Sequence, residues 1–434
     1  MSSVIVAGGG LAGLATAAAL GSAGYDVDLY EARGFLGGRA TSFPLAPAND
    51  QTEVIDNCQH VLLRCCVNLI DLYQRLNVAG DITFHREFYF IEPGGRVSTL
   101  RAGSLPSPFH FSGSFLKMKC LSLADKLSLG RGLMALQHER TTRRDLDQIT
   151  MLQWLIEKRQ TPRAIERFWR QVLVSAINEE LDRMSAIHGF QVFWLGFLAT
   201  NTSYEMGIPN VPLGALYSSE AWKQFPGVRI HLRAPVERLD QEGVRINGEY
   251  RKADYYISTV PFEKLTGIAP DLPAPRFEHS PITGIHLWFD RPITELPHAV
   301  LLDRTVQWLF NKENGTYLQL VVSASRSLLT MSRGDVIALA LKELAEFFPA
   351  VHTANLVKAH VVKEVRATFS AAPGLESQRP GNKTQFPNVF LAGDWTRSGW
   401  PATMEGAVRS GYLAAEAVST AAGNPHKFLL ADLA

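Results

Sequence analysis

The chain has 434 residues, 46% hydrophobic and 20% charged, with 43 Lys plus Arg against 42 Asp plus Glu and a formal charge of +1. This is ordinary globular composition; it excludes a disordered, collagen-like or coiled-coil chain and supplies no basic excess to grip nucleic acid. The length implies roughly two or three domains and a core large enough for an enzyme.

Cys58, Cys65, Cys66 and Cys120 form no C-x-x-C pair and no disulfide framework, which points to a reduced, cytoplasmic setting. No His/Cys cluster has zinc-ligand spacing, so no metal site is expected. The vicinal Cys65 and Cys66 read as a redox pair or, more simply, as two small core residues.

Val4 to Tyr25 is apolar or small and sits at the N-terminus, like a signal peptide or membrane helix. It lacks a basic leading region, however, and holds six glycines. Val4 to Ala7 reads as a buried strand, Gly8 to Gly13 as a turn, Leu14 to Ala23 as a helix and Asp26 to Tyr30 as a second strand. This is G-x-G-x-x-G inside a β-α-β unit. Gly8 permits the tight turn, Gly10 admits a pyrophosphate to the backbone, and Gly13 lets the helix pack close to the strand. Leu11 and Ala12 open the helix, where free N–H groups favour an anion. Glu31, 18 residues past Gly13, ends the second strand. A carboxylate there accepts ribose hydroxyls and repels a 2′-phosphate, favouring FAD or NAD over NADP. Glu31-Ala32-Arg33 leads into Gly37-Gly38-Arg39, and Arg39 is a cation suited to a pyrophosphate.

Val54 to Leu63 follows, with Asp56, Gln59 and His60 together. Phe88 to Ile91 and Val97 to Leu100 flank a turn. Ser122 to Asp125 resembles a capping box opening a helix to about Arg140. Leu146 to Lys158 and Pro162 to Ala176 look helical. Val228 to Leu232, Pro235 to Leu239, Val244 to Asn247 and Asp254 to Thr259 alternate as strands. Thr283 to Phe289, Trp308 to Phe310 and Tyr317 to Ser323 are strand-like, and Asp335 to Phe347 is an amphipathic helix. Asn388 to Trp395 reads as a buried strand ending in Gly393-Asp394, and Trp400 to Val408 opens a last helix. The region 81–204 is rich in aromatics: Phe109, Phe111, Phe115, Phe168, Trp169, Phe190, Phe193, Trp194 and Phe197 suit a hydrocarbon pocket or, by default, the core. Phe109 to Leu136 mixes apolar residues with Lys117, Lys119, Lys126 and Arg131, as either a membrane-resting face or a solvated helix face would.

The string E-A-R-x-x-x-G-G-R and the C-terminal Gly393-Asp394 segment resemble the flavin amine oxidase and phytoene desaturase superfamily. Asp56-Asn57-Cys58-Gln59-His60-Val61-Leu62-Leu63, with weaker support from Asn178 to Ser185, resembles its hydroxysqualene dehydroxylase branch. The resemblance spans Val4 to about Val418. It implies an α/β fold: a Rossmann-like FAD-binding domain (1-80, 205-263 and 375-434) into which a mixed α+β substrate domain (81-204 and 264-374) is inserted. It implies FAD held by Gly8, Gly10, Leu11, Ala12, Gly13, Glu31, Ala32, Arg33, Gly38 and Arg39. Val236 would meet the adenine, Gly393 and Asp394 the ribityl-pyrophosphate region, and Met404, at the start of the last helix, the flavin pyrimidine edge.

The branch further implies reductive removal of a hydroxyl from hydroxysqualene, giving squalene for hopanoid-type lipids. Such a reaction needs a proton donor, a dry pocket and a reduced flavin. Asp56 and His60 are the nearest acid candidates, with Glu180 and Asp182 behind them; Asp56, Gln59 and His60 serve equally well as a buttress for the cofactor loop. Three alternatives stay open: a phytoene or squalene desaturase, an amine oxidase using Trp395 and Trp400, and a non-catalytic isoprenoid carrier. The expected partners are an isoprenoid hydrocarbon and an external reductant, since no second complete G-x-G-x-x-G provides an NADPH domain. The expected location is cytoplasmic, with peripheral contact on the inner membrane face through the 109–136 region.

Overall fold

Val4-Ile5-Val6 is β-branched throughout, which favours extended backbone. In the computed structural model, which describes residues 2–45 and 53–433, it forms the strand Ser3–Ala7 at the centre of a five-stranded sheet. The 1-80 and 375-434 segments therefore lie outside the described residues at 1, 46–52 and 434. The strand order is Val228–His231, Asp26–Tyr30, Ser3–Ala7, Tyr255–Ser258, Val389–Leu391, and every pairing is parallel. Chain order reverses between the third and fourth of these. In open parallel sheets ligands bind at such a switch point, outside the carboxyl ends of the strands. The Thr259 hydroxyl closes that gap by donating to the Ala7 and Gly8 carbonyls at 3.0 and 2.9 Å.

The helix Leu11–Ser22 follows the first strand and buries ten of its twelve residues. It is apolar all round because it is covered on both sides, by the sheet and by the last helix, Met404–Ala421. The two helices meet on small residues. A Cβ at Gly411 would lie 2.3 Å from the Ala12 carbonyl oxygen. Thr16 donates its hydroxyl to the Gly411 carbonyl at 3.2 Å.

A three-stranded antiparallel sheet, Val236–Leu239, Val244–Ile246 and Glu249–Arg251, connects the strand Val228–His231 of the parallel sheet to Tyr255–Ser258. A larger sheet has seven strands in the order Leu356–Phe369, His279–Phe289, Tyr317–Ser323, Trp308–Asn311, His298–Leu301, Glu87–Glu92, Arg96–Arg101. Its one parallel pairing, His298–Leu301 with Glu87–Glu92, joins strands more than 200 residues apart in sequence.

The helical expectations hold with shifted ends. Leu123–Thr142 starts on the Ser122/Asp125 capping box. The expected 146–158 helix shortens to Met151–Glu157, because Thr150 and Gln153 form a capping box that fixes its start. Pro162–Ala164, Ile165–Trp169 and Arg170–Ile177 run on as one helix with a π-helical middle, ending at left-handed Asn178. The helix expected from Asp335 begins at Arg333, behind the Ser332/Asp335 capping box. No described helix is long and apolar enough to cross a membrane.

The glycine crossing makes a stability prediction. Gly411→Ala forces a methyl onto the Ala12 carbonyl and should cost about 1–3 kcal/mol, read as a lowered Tm. An unchanged Tm would show slack between the two helices.

Candidate functional site

The glycine turn is built by its backbone. Gly8 has φ +114°, which side-chain-bearing residues rarely adopt. A Cβ at Gly13 would fall 2.0 Å from the Gly8 carbonyl oxygen, so the helix can begin this close to the strand only on glycine. At Gly10 the nearest atom to an added Cβ is the Gly38 Cα at 3.9 Å, so that side of the backbone is open. No side chain caps the helix start at Gly10, and Leu11 and Ala12 line a cavity. The Gly37 N–H donates to the Gly9 carbonyl at 2.9 Å, which lays the Gly37-Gly38 loop along the turn. Glu31 accepts from the Gly9 N–H at 2.7 Å and from the Arg33 N–H at 2.8 Å. An open glycine backbone, an uncapped helix start and an acid at the second strand end fit the pyrophosphate and ribose of a dinucleotide.

The cavity is about 670 Å³ and runs through the switch point. Of the expected cofactor residues, Gly8, Gly10, Leu11, Ala12, Glu31, Ala32, Arg33, Gly38, Arg39, Val236, Gly393, Asp394 and Met404 all line it, while Gly13 lies behind them against Gly8. Arg39 is ion-paired with Asp394 at 2.5 Å and donates to the Ala367 carbonyl at 3.0 Å, so the early and late motifs meet directly. Arg379, wholly buried, fixes the loop after Asp394. It donates to the carbonyls of Asp394, Thr396 and Trp400 at 2.9, 2.5 and 2.7 Å.

The far end of the cavity is apolar: Phe88, Phe90, Leu100, Val300, Trp308, Phe310 and Val321 come from the seven-stranded sheet. Of the nine aromatics that suited either a hydrocarbon pocket or, by default, the core, only Phe197 reaches the cavity wall. Trp169, Phe190 and Phe193 instead pack edge-on among themselves and Trp154 in the core. The pocket is walled by sheet strands on one side and, on the other, by non-aromatic positions of the aromatic-rich helices: Val172, Ser175, Ala176, Val192 and Leu195.

The acid candidates separate. Asp56 is not part of the cavity wall; its carboxylate accepts from the Ser42 hydroxyl at 2.6 Å and the Leu213 N–H at 3.0 Å, as a buttress would. Glu180, bound to Arg170, lies away from the cavity too. His60 does line it, with Nδ1 donating to the Cys58 carbonyl at 2.9 Å. Burial holds the His60 pKa below the usual histidine value, so the ring is neutral near pH 7. Gln59 also lines the cavity and is held by the Lys312 ammonium at 2.9 Å. Cys65 and Cys66 are free thiols in the wall; their mutual hydrogen bond and burial push Cys66 well above the ordinary thiol range, which disfavours the reactive thiolate.

Two lining acids were not among the expected site residues. Glu364 comes from the strand Leu356–Phe369. Glu405 sits in the first turn of the last helix and accepts from the Asn68 N–H, the Asn68 amide and the Leu69 N–H at 3.2, 2.8 and 2.7 Å. Burial nevertheless raises its pKa to about 7. An acid next to a helix start and followed at i+4 by Arg409 was the available signal for Glu405. For Glu364 the sequence carried none.

The flavin-containing amine oxidoreductase family model matches residues 11–419. The chain is 31% identical to hydroxysqualene dehydroxylase of Rhodopseudomonas palustris, covering 96% of this chain and 98% of that protein. It is 25% identical to zeta-carotene desaturase of Synechocystis sp., covering 96% of each. Among solved structures, cyclohexylamine oxidase from Brevibacterium oxydans superposes with a TM-score of 0.66 at 18% identity, covering 97% of this chain and 99% of that one.

Glu405 makes the site's stability depend on pH. Its pKa rises from 4.5 to about 7 on folding, so the folded state holds the proton longer than the unfolded chain. Folding is therefore weakened as pH climbs through that window, with the full penalty above it. Tm measured against pH should fall across this range more steeply in wild type than in Glu405→Gln. Identical slopes would remove the assignment.

Proposed function

The chain belongs to the flavin-containing amine oxidoreductase family and is an FAD-dependent oxidoreductase, and we propose that it removes the hydroxyl of hydroxysqualene reductively, releasing squalene. The observation that carries this reading is the near full-length similarity to a hydroxysqualene dehydroxylase. A cavity that passes from the glycine turn into an apolar end built on sheet strands supports it. The discontinuous FAD-binding (1-80, 205-263, 375-434) and substrate (81-204, 264-374) domains belong to the same proposal.

In it, the helix start at Leu11–Ala12 would hold the pyrophosphate, Glu31 the adenosine ribose, and Val236 the adenine. Asp394 would hold the ribityl-pyrophosphate region, and the start of the last helix at Met404 the pyrimidine edge. Bound there in reduced form, FAD would supply a hydride equivalent. The chain's own residues supply the rest. Phe88, Phe90, Trp308 and Phe310 exclude water, so that an allylic cation left by the departing hydroxyl meets hydride before it meets solvent. Neutral His60 faces the cavity without adding a positive charge beside that cation. Asp56 holds the Ser42 and Leu213 segments behind it.

Anaerobic incubation of the pre-reduced holoprotein with hydroxysqualene should yield squalene with reoxidation of the flavin. If squalene is absent while phytoene or an amine reduces the oxidised flavin, the reading fails.

We further propose peripheral membrane contact through the helix Leu123–Thr142 and the loop before it. Leu123, Leu127 and Met134 share one helical face and are 69, 59 and 63% exposed. Leu116 and Phe109 are 65 and 62% exposed. Exposed Lys117, Lys119 and Arg131 flank this apolar surface, which matches an anionic lipid leaflet. From the same loop, Phe111 stands 6.2 Å, ring to ring, from the cavity residue Phe197. Cosedimentation with phosphatidylglycerol-containing vesicles should be strong for wild type and lost in the triple variant Leu123→Glu, Leu127→Glu, Met134→Glu. Equal binding by the two would place the contact elsewhere.

A further inference from the structure

We propose that Glu364 is the acid that protonates the substrate hydroxyl so that it leaves as water. The inference rests on the reading above. Four carboxylic residues line the cavity: Glu31, Glu364, Asp394 and Glu405. Three are already committed. Glu31 accepts two backbone N–H groups, Asp394 is ion-paired with Arg39, and Glu405 accepts three N–H bonds from Asn68 and Leu69. Glu364 makes no hydrogen bond and no ion pair among the described residues. A half-buried carboxyl in an apolar cavity is costly without a partner, and the site gains one when a hydroxylated substrate enters.

Its placement has a structural cause. Leu356–Phe369 is an edge strand of the seven-stranded sheet, paired to His279–Phe289. The register breaks between Ser280–Thr368 and Ile282–Glu364, one residue intervening on one strand and three on the other. Bulges of this kind re-aim side chains and recur beside active sites. Ile282, opposite Glu364, lines the cavity as well, as do Ala367 within the break and Thr368 at its far side. Two contacts place this part of the strand pair: the Ala367 carbonyl accepts from Arg39 at 3.0 Å, and a Cβ at Gly284, paired with Val362, would lie 3.0 Å from the Asn57 carbonyl oxygen. Glu364, between Val362 and Ala367, therefore lies on the stretch of strand that runs from the Asn57–Leu63 segment to the cofactor loop.

The rival donors are weaker on the same geometry. Asp56 is spent on Ser42 and Leu213 behind the wall. His60 uses Nδ1–H on the Cys58 carbonyl and is neutral near pH 7. In the step proposed, the Glu364 O–H bond breaks and an O–H bond forms to the hydroxyl oxygen. The allylic C–O bond then breaks and its electron pair leaves with water. The carbon is reduced by the hydride, two electrons, that the reduced flavin supplies. Glu364 remains as carboxylate and recovers its proton from solvent, so one alcohol, one proton and one hydride give one hydrocarbon and one water.

The test uses FAD-loaded wild type, Glu364→Gln and Glu364→Asp. Hydroxysqualene binding is first measured on the oxidised forms through the flavin absorbance change, where no reduction can occur. The three are then reduced anaerobically and mixed with hydroxysqualene in single turnover. Glu364→Gln should bind FAD and substrate as wild type does, yet reoxidise at least about 100-fold more slowly, the usual contribution of a positioned general acid. Glu364→Asp should recover part of the rate. Squalene formation by Glu364→Gln at the wild-type rate would overturn the proposal and leave the dehydroxylase reading standing. Loss of FAD in both variants would overturn it in favour of a cofactor-holding role. A wild type that forms no squalene overturns both readings.

Discussion

The Ala12 carbonyl lies 2.3 Å from where a Cβ at position 411 would sit, so the first and last helices of the parallel sheet cross on a glycine. The glycine turn before the first helix and the Asp394 loop before the last are some 380 residues apart, yet both must contribute to one cavity. Their registration is set by how closely the two helix axes approach, and only small residues at 12, 15 and 411 permit it. Thr16, donating to the Gly411 carbonyl, fixes the sliding direction that close packing leaves free. The Arg39–Asp394 pair then joins the loops that the helices have brought together.

Legibility in the sequence follows the range of the interactions. The glycine turn, Glu31 and the capping boxes at Ser122 and Ser332 are local: each signal and its structural consequence fall within a few residues. A dinucleotide, FAD or NAD, was legible for the same reason, since backbone approach to a phosphate demands glycine at fixed spacing; the choice of flavin came from the resemblance of the Glu31–Arg39 and Gly393-Asp394 strings to a flavoprotein family. The seven-stranded sheet was not legible as one object. Its strands were visible singly, but the pairing of His298–Leu301 with Glu87–Glu92 depends on a contact across more than 200 residues that no periodicity encodes. The pocket was not legible for a related reason. Aromatic density marks burial, and in the 150–200 helices the rings bury against one another as the default core reading expects, leaving the cavity wall to strand residues and to the non-aromatic positions of those helices.

Asp56 and Glu364 show the same division in two acids. Asp56 stood in a recognisable string, and its neighbours Asn57 to Leu63 do line the cavity, but strand alternation turns it to the other side, onto Ser42 and Leu213. Glu364 stood in no string. Its exposure to the cavity arises from a break in register between two long strands, which depends on both strands at once.

Four titratable groups at or beside the cavity are displaced by burial toward the uncharged form: His60 and Lys312 are lowered, while Cys58 rises to about 12 and Glu405 to about 7. Arg39 is the exception: despite burial, it is raised toward its charged form by its pairing with Asp394. A near-neutral chain has no long-range field with which to steer a ligand, and a hydrocarbon carries no charge to be steered. Recognition in such a site must come from apolar area, and chemistry from the few polar groups that remain without partners. Under the proposed dehydroxylation, an apolar wall that keeps water, the competing nucleophile, away from a substrate cation also keeps away solvent protons. Burial is then the shared cause of these shifted groups and of the need, in that proposal, for a proton source inside the cavity.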